Sequence, residues 1–439
     1  MRLSNFLSTT ATQPGYIDPP RLFASVASDW SRLKAWLRNL DGLSQWAVFA
    51  WIAVLSIISF RTVLSPRANS CYPIFSNAAR NWIAGEDLYS IGRPVNAELD
   101  GFRYSPLVAG LLTPLSQLND RVGGAFWRLL NAAVLLLGIA WWCKAALPVT
   151  LTRMQKSLLL ILVLPVAIGS LNNGQANPLV IGLVLIALAG VAESRWSLAG
   201  ICLALACLLK IYPIALCLLL LVLYPRQLAG RFFAALGLGL LLPFVLHDFG
   251  YVSGQYAAWF MCLRMDDRHA FPVEFAYRDL ELLCRVWLSP ISPEAYRFLE
   301  IEAGAWMALM CHTALQAEWP QKRLLTLALV LGSVWMTLFG PATESCTYIL
   351  IGPALAWCIL ESRIQERPAW LRFLPACSLL MLTAAGLESW FGSTRLKAAG
   401  FQPMAALLLF VQVLMVIWSD ACQRKPEISG VALRNNAMG

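Results

Sequence analysis

Lys210 lies inside the continuous apolar run 198–224 (LAGICLALACLLKIYPIALCLLLLVLY). An ammonium at mid-bilayer costs about 2.5–3.5 kcal/mol on insertion scales, so a lysine kept there reads as serving a site rather than facing lipid. Pro213 follows and breaks the helix. The run therefore predicts two short helices meeting at a membrane surface, with the ammonium aimed at an anion, a lipid phosphate first. Polar loops supply the rest of the chemistry. Asp87, Asp100, Asp266 and Asp267 are carboxylates that could take a proton from a hydroxyl. Arg80, Arg264 and Arg268 are further cations for a phosphate, and the motif LNNGQANP gathers Asn172, Asn173 and Gln175. Amides suit sugars because each offers a donor and an acceptor. Tyr104, Tyr212 and Glu344 complete the candidate sugar- or acceptor-binding set.

Each of these residues also has a plainer reading. Arg80 and Trp82 would anchor an interfacial helix over 76–85, ended by Gly85. Asn177 before Pro178 would cap the helix that follows. Glu344 would cap the helix after GPATESCTY, and the run LRMDDRHAF would be a solvated face held by its own ion pairs. The pair Asp266 and Asp267 would alternatively hold a divalent cation, although no metal-ligand spacing singles it out.

The elements that must position these residues are membrane helices. Of 439 residues, 58% are hydrophobic and 13% charged, with mean hydropathy +0.62. Hydrocarbon about 30 Å thick needs roughly 20 apolar residues per helix, and such runs recur from Ser44 to Trp418. The fold class is all-α, a polytopic bundle of about ten to twelve spans with a cavity on its outer face. Residues 1–44 form a cytoplasmic segment too polar for a cleaved signal, 45–418 the membrane domain, and 419–439 a cytoplasmic tail. Basic clusters at 144–156, 226–231, 322–323 and 363–372 mark inner loops. The net charge of +9 is thereby explained without nucleic acid. The loops 66–104, 171–177, 210–213, 247–302, 340–348 and 388–400 then face outward. That alternation requires 105–143 to cross only once, with one of its two apolar pieces re-entrant or lying along the surface.

Several chemistries are excluded. The longest polar loop, 247–302, cannot hold a nucleotide-sugar domain, which needs roughly 100 residues or more. Gly237 and Gly239 lack the third glycine of a dinucleotide turn. The twelve cysteines show no CxxC spacing, so neither a zinc site nor a disulfide framework is indicated. Cys71, Cys262, Cys284 and Cys346 fall in outer loops, where an oxidising compartment would permit a disulfide.

Taken together, AAR with GEDLY in the first loop, YSPL at Tyr104, NGQANPL at Asn173 and LAGICLALACLLKIYP ending at Pro213 resemble glycosyltransferase family 87. These are integral-membrane enzymes of the GT-C type. The resemblance implies a multi-pass protein of the bacterial cytoplasmic membrane. It also implies transfer of a hexose, mannose first, from a polyprenyl-phosphate donor to a lipid or glycan acceptor on the outer face, with inversion. Membrane lipids are the other expected partners. Where family members commonly carry an aspartate ahead of the AAR arginine, this chain has Cys71. The base would then be one of the other carboxylates. Two other functions remain open: a transporter or flippase of lipid-linked sugars, and an inactive scaffold that binds them.

Overall fold

The computed structural model describes residues 41–89, 101–266, 268, 271–388 and 391–436, the last sixteen by backbone alone. Asp100, Asp267 and His269 lie outside the described residues. Among those described, every regular element is a helix. In chain order they are α1 (Gly42–Leu64), α2 (Tyr72–Ala84), α3 (Pro106–Leu111), α4 (Thr113–Ser116), α5 (Asp120–Ala145), α6 (Arg153–Asn173), α7 (Asn177–Ala192), α8 (Trp196–Leu209) and α9 (Ile214–Leu223). There follow α10 (Pro225–Leu246), α11 (Phe249–Met265), α12 (Leu280–Trp287), α13 (Pro293–Gln316), α14 (Gln321–Leu338), a 3-10 helix (Ser345–Ile351), α15 (Gly352–Ile364), α16 (Ala369–Glu388), α17 (Arg395–Ala398) and α18 (Phe401–Asn436). Among the described residues, seven stretches are long and apolar enough to cross a membrane, and three shorter apolar helices, α7, α8 and α9, stand among them. The protein is an all-α polytopic membrane bundle.

The region 105–143 contributes a single span. Its first apolar piece is broken into α3 and α4, of six and four residues, far short of the roughly 20 a crossing needs. Asn119 ends that piece and caps α5, its side chain accepting from Val122 N.

The core is built around α7. It is apolar all round and buried along most of its length, as expected of a helix surrounded by others. Its closest neighbour is α5, because Gly138 and Gly182 face each other: a Cβ on Gly138 would lie 2.5 Å from the Gly182 carbonyl oxygen. Small residues at such crossings let membrane helices approach to backbone contact.

Lys210 marks the helix break that its neighbours predict. α8 stops at Leu209, Lys210 is extended (φ −148°, ψ 142°), and Pro213 precedes the first turn of α9. The interfacial helix of the first loop is α2, which starts at Tyr72 and stops where Gly85 adopts φ +70°. Its buried face, Phe75, Ala78, Ala79 and Trp82, packs against α3, α4 and α5.

The polar turns gather at one end of the bundle. Cys71 bonds to Asn173, Gln175 to Glu344, Arg268 to Glu344, and the Trp287 indole to Ala399 O. The opposite end carries the basic clusters: Ser44 meets Ser157, the Trp141 indole donates to Glu193, and Arg323 and Arg367 both pair with Asp420.

The close approach of α5 and α7 yields a prediction. Replacing Gly182 by leucine places side-chain atoms against Val134 backbone, at 2.7 Å for the Cβ alone. Overpacking of this kind costs about 1–3 kcal/mol. The variant should show a lower thermal unfolding midpoint in detergent, whereas leucine at Gly237, which meets nothing within 4 Å, should leave it unchanged.

Candidate functional site

The site begins with the turn between α6 and α7. Gly174 takes φ +73° and ends α6, and the turn is locked from α5. The Arg128 guanidinium donates to Asn172 O (2.9 and 3.2 Å) and to Ser70 Oγ (3.0 Å), and the Trp127 indole donates to Gly174 O (2.8 Å). Arg128 is 2% exposed, so its charge is satisfied by carbonyls rather than water.

The locked turn aims a chain of hydrogen bonds. Tyr212 Oη donates to Asn177 Oδ1 (2.5 Å), Asn177 Nδ2 donates to Gln175 Oε1 (2.6 Å), and Gln175 Nε2 donates to Glu344 Oε2 (2.7 Å). Asn177 does not cap α7, as its place before Pro178 had predicted. It is the first residue of the helix, makes no capping bond, and reaches instead across to Tyr212, Gln175 and the Cys346 carbonyl (3.0 Å). Glu344 does stand at the N-cap of the 3-10 helix, where its backbone N–H donates to Thr347 Oγ1 (3.1 Å), and its carboxylate reaches into the site as well. Its other oxygen meets Arg268 Nη2 at 3.4 Å and Arg103 Nη1 at 3.6 Å.

Arg103 bridges two carboxylates, since its Nε also lies 3.2 Å from Asp266 Oδ2. Asp266 Oδ1 accepts from Tyr277 Oη (2.5 Å), and Arg268 lies over the Tyr277 ring (5.0 Å). The Lys210 ammonium makes no ion pair or hydrogen bond among the described residues; it sits over the rings of Tyr104 (5.7 Å) and Tyr212 (5.4 Å). Cation–π contacts of this kind are worth about 0.5–2 kcal/mol and leave the ammonium's donors available.

These groups surround a cavity of about 210 Å3. Lys210, Arg103, Tyr104, Gln175, Tyr212, Asp266, Glu344 and Cys71 all line it, with an apolar wall from Phe75, Leu209, Ile211, Trp259 and Leu263. Three cations, Lys210, Arg103 and Arg268, stand against two carboxylates, Asp266 and Glu344. The balance suits an anionic group attached to an apolar chain.

Other expected site residues lie elsewhere. Arg80 pairs with Asp120 (2.7 Å) and fastens α2 to α5. Asp87 accepts from Gln255 Nε2 (3.1 Å), which ties the first loop to α11. Arg264 is exposed on α11. Asn172 accepts from Arg61 (2.8 Å) and Asn173 from Cys71 Sγ (2.7 Å), so neither lines this cavity. Among the described residues no cluster of three or more His, Cys, Asp or Glu side chains could hold a metal ion, and no disulfide forms among the described cysteines.

Sequence reasoning missed Arg103, Arg268's partner tyrosine and Arg128. Arg103 adjoins the YSPL motif, and a cation held beside an apolar helix start was the signal available. Arg128 had none beyond being the one charge between Arg121 and Lys144 in its span.

A model of glycosyltransferase family 87 matches residues 102–341, more than half of the chain. The chain belongs to glycosyltransferase family 87. It is therefore a membrane glycosyltransferase. Arg103, Tyr104, Gln175, Lys210, Tyr212, Asp266 and Arg268 fall within the family 87 match, while Cys71 and Glu344 lie outside it. No curated protein sequence matches the chain.

The electrostatics of this family 87 site carry a pH prediction. Burial raises the proton affinity of Glu344, but Lys210, Arg268 and Arg103 outweigh it and hold the carboxyl below its ordinary 4.5. A group whose folded value is depressed contributes stability that is complete above the unfolded value and is lost as pH falls through the folded one. The thermal midpoint of the wild type should fall as pH drops below about 4.5. Glu344→Gln should have a lower midpoint at neutral pH, with less further loss on acidification.

Proposed function

We propose that this protein transfers a hexose, mannose first, from a polyprenyl-phosphate sugar to a hydroxyl of a lipid or glycan acceptor. The reaction would take place on the outer face of the bacterial cytoplasmic membrane. The observation that carries the reading is the Lys210 ammonium. It lines a cavity, without an ion pair among the described residues, beside the guanidinium of Arg103 and against an apolar wall.

Helix lengths support a membrane-borne donor. α7, α8 and α9 have 16, 14 and 10 residues; at 1.5 Å per residue that is about 24, 21 and 15 Å, less than the roughly 30 Å of hydrocarbon. On this reading the floor of the cavity would lie within the hydrocarbon depth, below the surface at which the sequence places the break. A polyprenyl phosphate can approach there between helices. The basic clusters at the opposite end favour placing this end outside.

In the reaction the acceptor oxygen attacks the anomeric carbon, the bond from that carbon to the phosphate oxygen breaks, and the configuration inverts. Asp266 takes the acceptor proton, and Lys210 and Arg103 stabilise the charge that gathers on the departing lipid phosphate. Asp266 suits the base because it faces one guanidinium and a phenol. Glu344 is engaged by two guanidiniums and the Gln175 amide, which suits positioning of a sugar or of Arg103 instead.

Purified protein should transfer radiolabelled mannose from polyprenyl-phosphate mannose to a membrane lipid extract. Lys210→Ala should abolish product. Asp266→Asn should lower turnover by about 10²–10⁴-fold, the usual contribution of a positioned base, with donor binding retained. Full activity in Asp266→Asn would remove it as the base, and saturable donor binding without product in the wild type would favour the scaffold reading.

A further inference from the structure

We propose that a second cavity, behind the 172–174 turn, binds the phosphate-bearing, hydroxylated headgroup of an anionic lipid. It measures about 550 Å3 and is formed by α1, α6, α16, the start of α18 and the 345–348 turn. It shares no lining residue with the transfer cavity, and depends neither on the donor nor on the base assigned above.

Charge sets the class of ligand. Among the described residues, Arg61 and Lys397 line it and no carboxylate does. Arg61 spends one guanidinium nitrogen on Asn172 Oδ1 (2.8 Å) and keeps most of its donors. Lys397 is placed by a built turn: Glu388 accepts from Leu396 N (2.8 and 3.0 Å), Lys397 N (3.2 Å) and Ser393 Oγ (2.7 Å). That carboxylate is thus committed to the backbone that presents the lysine.

The polar end of the lining also carries the Asn172 and Asn173 amides and Ser345. An amide offers both a donor and an acceptor, which suits the hydroxyls of a headgroup.

The shape is that of an amphiphile. Polar lining lies at the loop end, and along α6 the wall continues to Val166 and Pro165, about 12 Å below Asn173 at 1.5 Å per residue, with Leu382 opposite on α16. Gly169 and Gly386 also line the cavity, and a Cβ added to either would meet nothing within 4 Å. A headgroup seated on Arg61 and Lys397 would therefore run its acyl chains down toward Pro165.

The test is retention of phosphatidylglycerol against phosphatidylcholine of matched chains by the full-length protein, read by native mass spectrometry. The wild type should retain the anionic lipid about tenfold better, the worth of one good charge-assisted contact. Lys397→Ala and Gly169→Leu, which fills the cavity without a clash, should each lose that preference while remaining monodisperse; Lys210→Ala should keep it. A preference that survives both Lys397→Ala and Gly169→Leu would overturn the proposal. Displacement of the bound lipid by glycerol 1-phosphate at equal concentration would overturn the lipid assignment, because the site would then take a soluble phosphate. Failure of displacement would support the membrane source.

Discussion

The carboxylate of Glu344 is the constraint on which the polar end of the molecule depends. Removing such a group from water costs several kcal/mol unless charge and hydrogen bonds replace the solvent. Here the replacements come from sequence-distant pieces: Gln175 from the α6–α7 turn, Arg103 from the first loop and Arg268 from the loop after α11. Each of those pieces is held in turn by something else. Gln175 is fixed by Asn177 and the Arg128 lock, and Arg103 by Asp266 and by the Trp259 indole, which donates to its carbonyl (3.0 Å). Remove the carboxylate and Lys210, Arg103 and Arg268 are left with Asp266 alone to balance them among the described residues.

The hydrogen-bond chain that ends on Glu344 has a single polarity. Tyr212 donates, each amide accepts on its oxygen and donates from its nitrogen, and the carboxylate accepts last. Bonds aligned this way polarise one another, and a carboxylate is the natural terminus because it only accepts. The alignment also fixes which way both amides point, and so sets the side of the turn that faces the cavity. In the proposed reaction such rigidity would have a chemical use, because groups that stabilise developing charge act best when they need not reorganise.

Much of this was legible in the chain. Lys210 could be read because an ammonium in an apolar run has no cheap explanation, and Pro213 told where the helix must break. Gln175 could be read because one turn does not need four amides. Charges in polar loops were harder. Arg80 and Asp87 look like Asp266 in sequence, yet they clamp loops to Asp120 and Gln255, since which loop faces the cavity is decided by tertiary packing. Asn177 misled for a related reason: an asparagine before a proline at a helix start satisfies the capping pattern, but a partner such as Tyr212, brought from another helix, competes for the same amide. Arg103 and Arg128 gain their meaning only from carbonyls and carboxylates far away along the chain.

Cys71 ties the first loop to the polar end of the bundle in a way that an acid at that position would not. Its backbone N–H donates to Asn173 O (2.8 Å) and its thiol to Asn173 Oδ1 (2.7 Å). The thiol can donate, whereas an ionised carboxylate only accepts, so an aspartate there would set two acceptors against each other unless the Asn173 amide turned over. A turned amide would give up that acceptor at the rim of the second cavity, which Asn173 lines. The thiol is therefore matched to the present wall between the two cavities, and it holds the loop rather than a proton. In the proposed reaction the acid–base duty then falls to a carboxylate that already faces the donor cations, and Asp266, across Arg103 from Glu344, is so placed.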